Sequence, residues 1–333
     1  MAYDTCPAIT DDETRLQCYD RYAPQPDIRN RSLFGYGVDG LTSHESNKVL
    51  ARTDGQDESK FYMDANLSVK YPIFKPVIEA VARQLDIDPD THTPRLYLAF
   101  STRFSQYLAS RNSSPVVARR YNPELFLRVW RDGTRERTNP SYWDFGYGHE
   151  SNGQRITDLE ALRLAEANAI SNGDLASSAR EQISRGWDYV SVDWNKQWNT
   201  PFFPSLEGRT ETLIEYRHYL DDGLLQGNPE EYNIWEGDGL GEKPRDYYAG
   251  LKLSLQYNLM DKPCSSLVCF NRVKLTQETG YAKPFENNTT NLELSAELLG
   301  LPFYIWGRSG YNNDLVDYYK QSNSWGIGLE FVR

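Results

Sequence analysis

The length, composition and charge of this chain exclude several classes of protein. Its 333 residues suit two ordinary soluble domains or one large β-barrel, and its mean hydropathy of -0.68 argues against helical membrane spans, which need about 20 consecutive apolar residues. The net charge of -11 argues against nucleic acid, because phosphate binding needs clustered Lys and Arg, while 13% aromatic residues would supply the girdles of a membrane barrel or a carbohydrate-binding sandwich.

The first 30 residues are polar, and we expect them to lie outside any barrel. Cys6 and Cys18 bound a stretch typical of a disulfide that closes a terminal segment in an oxidising compartment. Cys264 and Cys269 form a second short-range group whose pairing stays open. The opening MAYDTCPAI lacks the basic and apolar regions of an export signal, so we interpret the chain as a mature form from which that signal was removed. The predicted organisation is a segment 1–30 followed by one barrel domain 31–333.

The strongest periodic signal has a period of two, which indicates β-strands with one apolar face. From Phe61 to Tyr71, apolar residues alternate with Asp64, Asn66, Ser68 and Lys70, and similar runs recur at 249–257, 292–298 and 325–331. Because soluble sandwiches also alternate, the number of runs carries more weight than any single one.

These runs predict an all-β fold of about twelve strands. The predicted strands are 32–44 (with a poor pattern), 58–74, 94–109, 118–131, 140–153, 184–199, 209–222, 244–257, 265–278, 288–298, 302–312 and 321–332. An even number of strands and a C-terminal strand with an aromatic near its end are typical of a transmembrane antiparallel β-barrel. With both termini in the periplasm, the connections 110–117, 154–183, 223–243, 279–287 and 313–320 would be external. We expect a short helix in the periplasmic connection 75–93 and another after a capping box of Thr157 and Glu160.

The segment 142–153, YWDFGYGHESNG, is the most informative part of the sequence. Alternation places five residues on one face: Trp143, Phe145, Tyr147, His149 and Ser151. In a barrel this aromatic face must be the lipid face, so the imidazole and the hydroxyl point toward lipid near the external end of the strand. Polar groups are costly there unless they are partnered or serve a function.

The next predicted strand supplies a partner for the imidazole. In SRGWDYVSVDW, parity makes Asp188 point outward as well, and consecutive strands of an antiparallel meander bring it beside His149. The histidine can then take the proton of Ser151, while the acid fixes the tautomer and stabilises the imidazolium. The residues therefore predict a Ser-His-Asp site on the outer wall of a barrel.

This block resembles the outer-membrane phospholipase A family. The resemblance runs from about residue 30 to the C-terminus and rests on four motifs: RNSSP at 111–115, YNPELF at 121–126, GYGHESNGQ at 146–154 and SRGWD at 184–188. The HxSNG core is the most diagnostic of them, and it differs from the G-x-S-x-G elbow of soluble hydrolases.

The resemblance implies an exported outer-membrane enzyme that hydrolyses sn-1 and sn-2 acyl esters of phospholipids, a phospholipase A1/A2. It implies that the backbone N–H of Gly153 helps bind the oxyanion. It also implies calcium (Ca2+) ligands from the carbonyl of Gln154 and the hydroxyl of Ser184, with Ser113 donated by the second subunit of a reversible homodimer. Oxygen donors and retained waters are what a hard cation prefers.

Three features depart from the family pattern. Asp188 stands where the best-known relatives have an asparagine. The connection between Gln154 and Ser184 is much longer, and it could displace the calcium ligands or add new ones such as Asp158 or Asp174. The register places Ser101 or Thr102 where the family has a membrane-embedded glutamine on its dimer face.

Two other functions stay open at this point: a non-catalytic barrel, either a pore or a structural anchor, and a soluble β-rich binding protein. His44, His92 and His218 have no partner at metal-binding spacing, so we expect them on surfaces or in the lumen. Glu293, Glu297 and Lys252 are interpreted as polar residues that fill the lumen.

Overall fold

The computed structural model describes residues 40–54, 57–86, 94–108, 116–130, 141–198, 208–226, 244–259 and 268–332. The segment 1–30 with Cys6 and Cys18, as well as His92, Ser113 and Cys264, lies outside the described residues. The predictions made for them therefore stay predictions, as does the domain boundary at residue 31.

A single antiparallel sheet contains the strands of the described residues, and it closes on itself. The strands are β1 (Thr42–Ser43), β2 (Asn47–Asp54), β3 (Asp57–Ile73), β4 (Arg95–Tyr107), β5 (Val116–Trp130), β6 (Tyr142–Ser151), β7 (Gly186–Trp198), β8 (Gly208–Tyr219), β9 (Gly250–Leu259), β10 (Val268–Gly280), β11 (Asn288–Leu298), β12 (Leu301–Gly310) and β13 (Ser322–Val332). Each strand from β2 to β13 pairs with its neighbours in sequence, and β13 pairs with β2. The predicted twelve-stranded antiparallel barrel is thus confirmed, with β1 as a short addition that pairs with β3.

The first barrel strand lies later than the sequence predicted. The expected strand at 32–44 is wrong where it is described, since the strand that closes the barrel is β2, at Asn47–Asp54. Its apolar residues are divided between the two faces: Val49 is exposed on the outer wall, whereas Leu50 is buried in the lumen beside Tyr304 and Trp306. Because both faces of β2 are mixed, its alternation is too weak to be seen in the sequence.

The other strands separate apolar and polar residues as their alternation predicts. The outer wall exposes apolar side chains on most strands, including Phe61, Leu67, Leu98, Phe100, Leu125, Trp143, Phe145, Val190, Ile214, Leu253, Leu275, Leu292, Ile305, Trp325 and Ile327. The lumen holds ion pairs such as Arg128–Asp144 at 2.7 Å, Lys252–Glu215 at 2.6 Å and Arg272–Glu330 at 2.7 Å. Apolar groups outside and charges inside are the pattern of a transmembrane barrel, and they agree with the lumenal interpretation of Lys252 and Glu293.

Helices occur only in the connections among the residues the structure covers. They are α1 (Lys75–Gln84) between β3 and β4, α2 (Leu159–Ser171) and α3 (Ser177–Arg180) between β6 and β7, and a 3-10 turn at Arg245–Tyr247 before β9. Both predicted helices are present, although the N-cap of α2 is Asp158, which accepts a hydrogen bond from Ala161 N at 2.8 Å, and not Thr157. In the parts of the chain described above, no helix is long and apolar enough to cross a membrane.

One end of the barrel, here called the upper end, holds the connections that follow β2, β4, β6, β8, β10 and β12. An aromatic cluster fills the lumen at this end and contains Trp187, Tyr189, Tyr219, Tyr248, Leu315 and Tyr318. The connection between β6 and β7 adds a small apolar core of its own, in which Ile156, Leu162, Ala179 and Ile183 pack with Val316 of the β12–β13 connection. The upper end therefore gives the strands that carry the site a packed support.

Candidate active site

Strands β6 and β7 bring the predicted histidine and carboxylate together on the outer wall. In the antiparallel register, His149 lies opposite Asp188 and Ser151 lies opposite Gly186. His149 Nδ1 is 2.6 Å from Asp188 Oδ1, a hydrogen bond in which the carboxylate accepts. His149 points outward by strand parity, since its neighbours on β6, Gly148 and Glu150, face the lumen. Asp188 lies opposite His149 on β7 and points the same way.

Ser151 ends β6 on the same face as His149, and the glycine across from it creates the space that both side chains use. A β-carbon on Gly186 would lie 3.2 Å from Ser151 Cβ and 3.4 Å from His149 Cε1. The imidazole and the serine thus converge over this glycine. With Nδ1 bound to the acid, Nε2, the ring atom next to Cε1, is the nitrogen left for the serine proton. Sequence reasoning missed Gly186, although it stands inside the SRGWD motif.

Asp188 points outward but is fully buried, because residues 220–226 fold over it from the end of β8. We name these residues the acid cap. Asp188 Oδ2 accepts hydrogen bonds from the backbone N–H groups of Leu225 at 2.7 Å and Gln226 at 3.3 Å, and from the hydroxyl of Tyr147. With the bond to His149, the carboxylate has four donors. A charge next to lipid is expensive, and these donors replace the hydration that burial removes.

Two further residues complete the surroundings of the acid. Gly223 lies directly on the carboxylate, so that any β-carbon at this position would collide with Asp188. The Tyr147 hydroxyl donates to Asp188 and accepts a hydrogen bond from Leu224 N at 2.7 Å. The sequence placed Tyr147 on the outer aromatic face, two residues before His149, but gave no sign that it contacts the acid.

Asn152 fastens the two ends of the long connection between β6 and β7. Its backbone N–H donates to Arg185 O at 3.0 Å and its side-chain amide donates to Ile183 O at 2.7 Å. Its Oδ1 accepts from Arg185 N at 3.0 Å and from Gln154 N at 3.3 Å. The backbones on both sides of the connection therefore meet at one buried side chain. We name this arrangement the Asn152 clamp.

The clamp brings three more of the predicted site residues, Gly153, Gln154 and Ser184, to the same place. Gly153 follows Ser151 by two residues, is exposed, and has a φ of +58°, a left-handed conformation that glycine adopts at little cost. Gln154 and Ser184 lie on opposite sides of the clamp. The long connection leaves the barrel beyond these residues, since Ile156 and Ile183 already pair with each other.

The donor set at the clamp fits a hard cation. The side chains of Gln154 and Ser184 are half-buried, and within the described part of the chain neither has a hydrogen-bond partner. Both offer neutral oxygen atoms, which Ca2+ accepts together with waters. Asp158, a possible additional ligand, instead caps α2. Over the same residues, no group of three His, Cys, Asp or Glu side chains is arranged to hold a metal.

The lumenal side of β6 is anchored by the residue between His149 and Ser151. Glu150 is buried, and its two oxygens pair with Arg245 at 2.8 Å and with Arg120 at 3.3 Å. Burial alone would lower the pKa of the Arg245 guanidinium, but Tyr219 and Glu150 together raise it above its usual value. Arg245 therefore stays charged and holds β6 from the inside.

The other histidines and the predicted dimer-face positions lie away from this site. His44 is in the lumen, 3.4 Å from Glu124, and His218 is exposed on the outer face of β8. Ser101 bonds Ser68 inside the barrel at 2.6 Å, so its neighbour Thr102 is the one on the outer face.

Fold and geometry together define a class: a transmembrane-type β-barrel that carries a serine, a histidine and a carboxylate on its outer wall. The phospholipase A1 family model matches residues 36–161, a stretch that contains His149, Ser151 and Gly153. Among solved structures, outer membrane phospholipase A from Escherichia coli superposes with a TM-score of 0.55 and 15% identity, covering 88% of this chain and 98% of its own. The outer membrane phospholipase of Salmonella typhi, solved as a dimer with bound calcium, gives a TM-score of 0.57 and 14% identity, covering 90% and 94%.

At these identities the solved structures show a shared fold, and a search of curated proteins finds no significant match. The resemblance to the outer-membrane phospholipase A family is confirmed by the family model and the fold together. They support an outer-membrane phospholipase, which is a hydrolase.

Proposed function

We propose that this chain is a calcium-dependent phospholipase A that hydrolyses sn-1 and sn-2 acyl esters at the outer wall of its barrel. The observation that carries the proposal is the pair of His149 Nδ1 and Asp188 Oδ1 at 2.6 Å, with Ser151 beside the ring, on a wall lined by Trp143 and Phe145. A phospholipid lying against this wall would present its ester to the hydroxyl from the side.

The reaction follows from the positions of these groups. His149 takes the proton of Ser151 as the hydroxyl oxygen attacks the acyl carbonyl, and the Asp188 carboxylate stabilises the imidazolium that forms. The backbone N–H of Gly153 donates to the oxyanion of the tetrahedral intermediate. When the intermediate collapses, the lysophospholipid leaves with the proton from His149. Water, activated by the same histidine, then releases the fatty acid from Ser151.

Gln154 and Ser184 would hold the calcium ion, and Ser113 would reach it from a second subunit. A bound calcium ion supplies positive charge next to the ester carbonyl and the oxyanion. If the ligand set is completed by a second copy, calcium binding and dimerisation stabilise each other. The calcium-containing dimer of the Salmonella relative supports this part of the proposal.

The location follows from the same reasoning. We propose that the chain reaches the bacterial outer membrane after removal of an export signal, with the upper end outside the cell. This orientation gives the site access to the outer leaflet. The ion pairs of Glu150 with Arg120 and Arg245 cross the upper lumen. Side chains in this position would obstruct a pore, which favours the enzyme over a pore.

The test is hydrolysis of a short-chain phospholipid in detergent, with calcium or with EDTA, while monomer and dimer are followed in parallel. Ser151→Ala should lower the rate by at least about 10³-fold, because the nucleophile is lost. The matched control is Ser309→Ala, at an outward-facing serine near the upper end of β12, which should keep full activity. Ser184→Ala should need more calcium.

Phospholipids labelled in either acyl chain distinguish sn-1 from sn-2 cleavage in the same assay. Full activity of Ser151→Ala would overturn the mechanism. Ion conductance together with unchanged lipid turnover in His149→Ala would favour a non-catalytic barrel instead.

A further inference from the structure

The acid cap is fixed to both strands that carry the proposed site. Leu220 N donates to Asp188 O at 2.9 Å, Leu224 N donates to the Tyr147 hydroxyl at 2.7 Å, and Leu225 N donates to Asp188 Oδ2 at 2.7 Å. The Asp188 backbone N–H in turn donates to Gln226 Oε1 at 3.3 Å. The cap therefore has a set position relative to His149.

The cap turns its polar groups inward and its apolar side chains outward. Gln226 is buried against β7, whereas Leu224 and Leu225 are 88% and 57% exposed. These two adjacent exposed leucines extend the apolar surface of the outer wall beyond the strands. Nothing in the anchoring of the cap needs these side chains, because every bond to β6 and β7 comes from the backbone or from Gln226.

The leucines lie along the path that an acyl chain would take. On β6, Tyr147, Phe145 and Trp143 follow His149 in the direction away from the upper end, toward the middle of the barrel. The exposed Val190 of β7 lies across from Tyr147, and the backbone N–H of Leu224 donates to the Tyr147 hydroxyl. An acyl chain that hangs from an ester at Ser151 would run down this apolar row with the cap along its β7 side.

We propose that Leu224 and Leu225 contact the acyl chain of the substrate and set the chain-length preference of the enzyme. This inference rests on the proposed function and adds the element that recognises the substrate. The occupant of this surface is the phospholipid acyl chain, since the surface continues the lipid-facing wall and is fixed to the catalytic acid.

The experiment compares kcat/KM for phospholipids with long and with short acyl chains in detergent micelles. Leu224→Trp narrows the path, so the ratio of long-chain to short-chain kcat/KM should fall about tenfold, the range that a misfit in an apolar pocket produces. Leu224→Met keeps the volume and should keep the ratio. The site control is Leu175→Trp, at a leucine 70% exposed on the long β6–β7 connection, which should also keep it.

If Leu224→Trp does not fold, Leu224→Ala decides the question, because loss of the contact should lower the same ratio several-fold. A ratio unchanged in both folded variants, or changed equally by Leu175→Trp, would overturn the role of the cap. Ser151→Ala, measured alongside, separates this result from a failure of the proposed function. If Ser151→Ala is inactive while the Leu224 variants keep the wild-type ratio, only the role of the cap is rejected.

Discussion

The two faces of strand β6 have opposite tasks. The outer face presents Tyr147, His149 and Ser151, and its one charged contact is the carboxylate from β7. The inner face carries Asp144, Gly146, Gly148 and Glu150, and it is fixed by packing at the glycines and by ion pairs from the two carboxylates to Arg128, Arg120 and Arg245. The reactive side chains of a lipid-facing site are bordered by fluid lipid, which cannot hold them in a fixed geometry. On β6, much of the rigidity that a catalytic geometry needs therefore comes from the lumen, through residues that alternate with the reactive ones, while the acid cap holds the neighbouring Asp188 from the outer side.

The largest expected effect is on the outer face, at the proposed base. His149→Ala should lower kcat on the order of 10⁴-fold, because the base that takes the serine proton is lost. The loss of stability should be small, since Asp188 keeps three donors from Tyr147 and the acid cap. The measurement is kcat on a short-chain phospholipid, with thermal unfolding as the second readout. His218→Ala, at an outward histidine of β8, is the control that should keep the rate.

The inner face should show the reverse, a loss of stability before a loss of chemistry. Glu150→Ala leaves the buried Arg245 and the half-buried Arg120 without their shared carboxylate, and we expect the free energy of unfolding to fall by about 3–5 kcal/mol. Glu150→Gln, which keeps the size and one acceptor, should lose less. Urea unfolding in detergent measures both. The comparison between the faces would fail if the folded Glu150→Ala protein lost as much kcat as His149→Ala.

The third prediction concerns the Asp188 carboxylate and the hydrogen bonds that it accepts from the acid cap. Asp188→Asn keeps an acceptor for His149 but turns an amide NH₂ toward the N–H groups of Leu225 and Gln226. We expect about 1–3 kcal/mol less stability for the docked cap, as for a buried donor left without its acceptor. The kcat should fall as well, because the charge that stabilises the imidazolium is lost. Hydrogen exchange of the Leu225 amide should accelerate. Asp317→Asn, in the β12–β13 connection, should change neither, and equal protection in both variants would show that the carboxylate does not hold the cap.

The smallest effect concerns the glycines of the inner face. Gly148 lies under the ring of Tyr189, and a β-carbon there would come within 3.0 Å of Tyr189 Cε1. Gly148→Ala should therefore destabilise the barrel by about 1–3 kcal/mol, the usual range for an overpacked core. Gly307→Ala, on the outer face of β12 with open space around it, is the matched control. Similar unfolding midpoints for the two variants would mean that Tyr189 moves aside without cost.

Alternation made much of this molecule predictable from its sequence. On β6 and β7 a period of two decided which side chains face lipid, and the antiparallel order then placed Asp188 beside His149. The same rule failed at β2, where Leu50 faces the lumen and Val49 the outer wall, so that neither face has a uniform character.

The acid cap and the Asn152 clamp escaped prediction for a different reason. Both depend on backbone N–H groups and on how a loop folds back, and these leave no period in the sequence. Gly223 carried a signal in principle, as a glycine close to the end of a strand, but its contact with Asp188 exists only once the loop has folded back. Asn152 was visible as part of the HxSNG core, yet its partners lie about 30 residues further along the chain.

The Asn152 clamp makes residues 155–182 a closed excursion of the chain. The chain leaves and returns at one point, so the number of residues in between has no part in the spacing of Ser151, His149 and Asp188. Because loop closure costs only about 0.6 kcal/mol for each doubling of length, such a module can lengthen, shorten or be exchanged during evolution. The helices it now carries pack against Val316 of the β12–β13 connection, but they do not set the spacing of the catalytic groups.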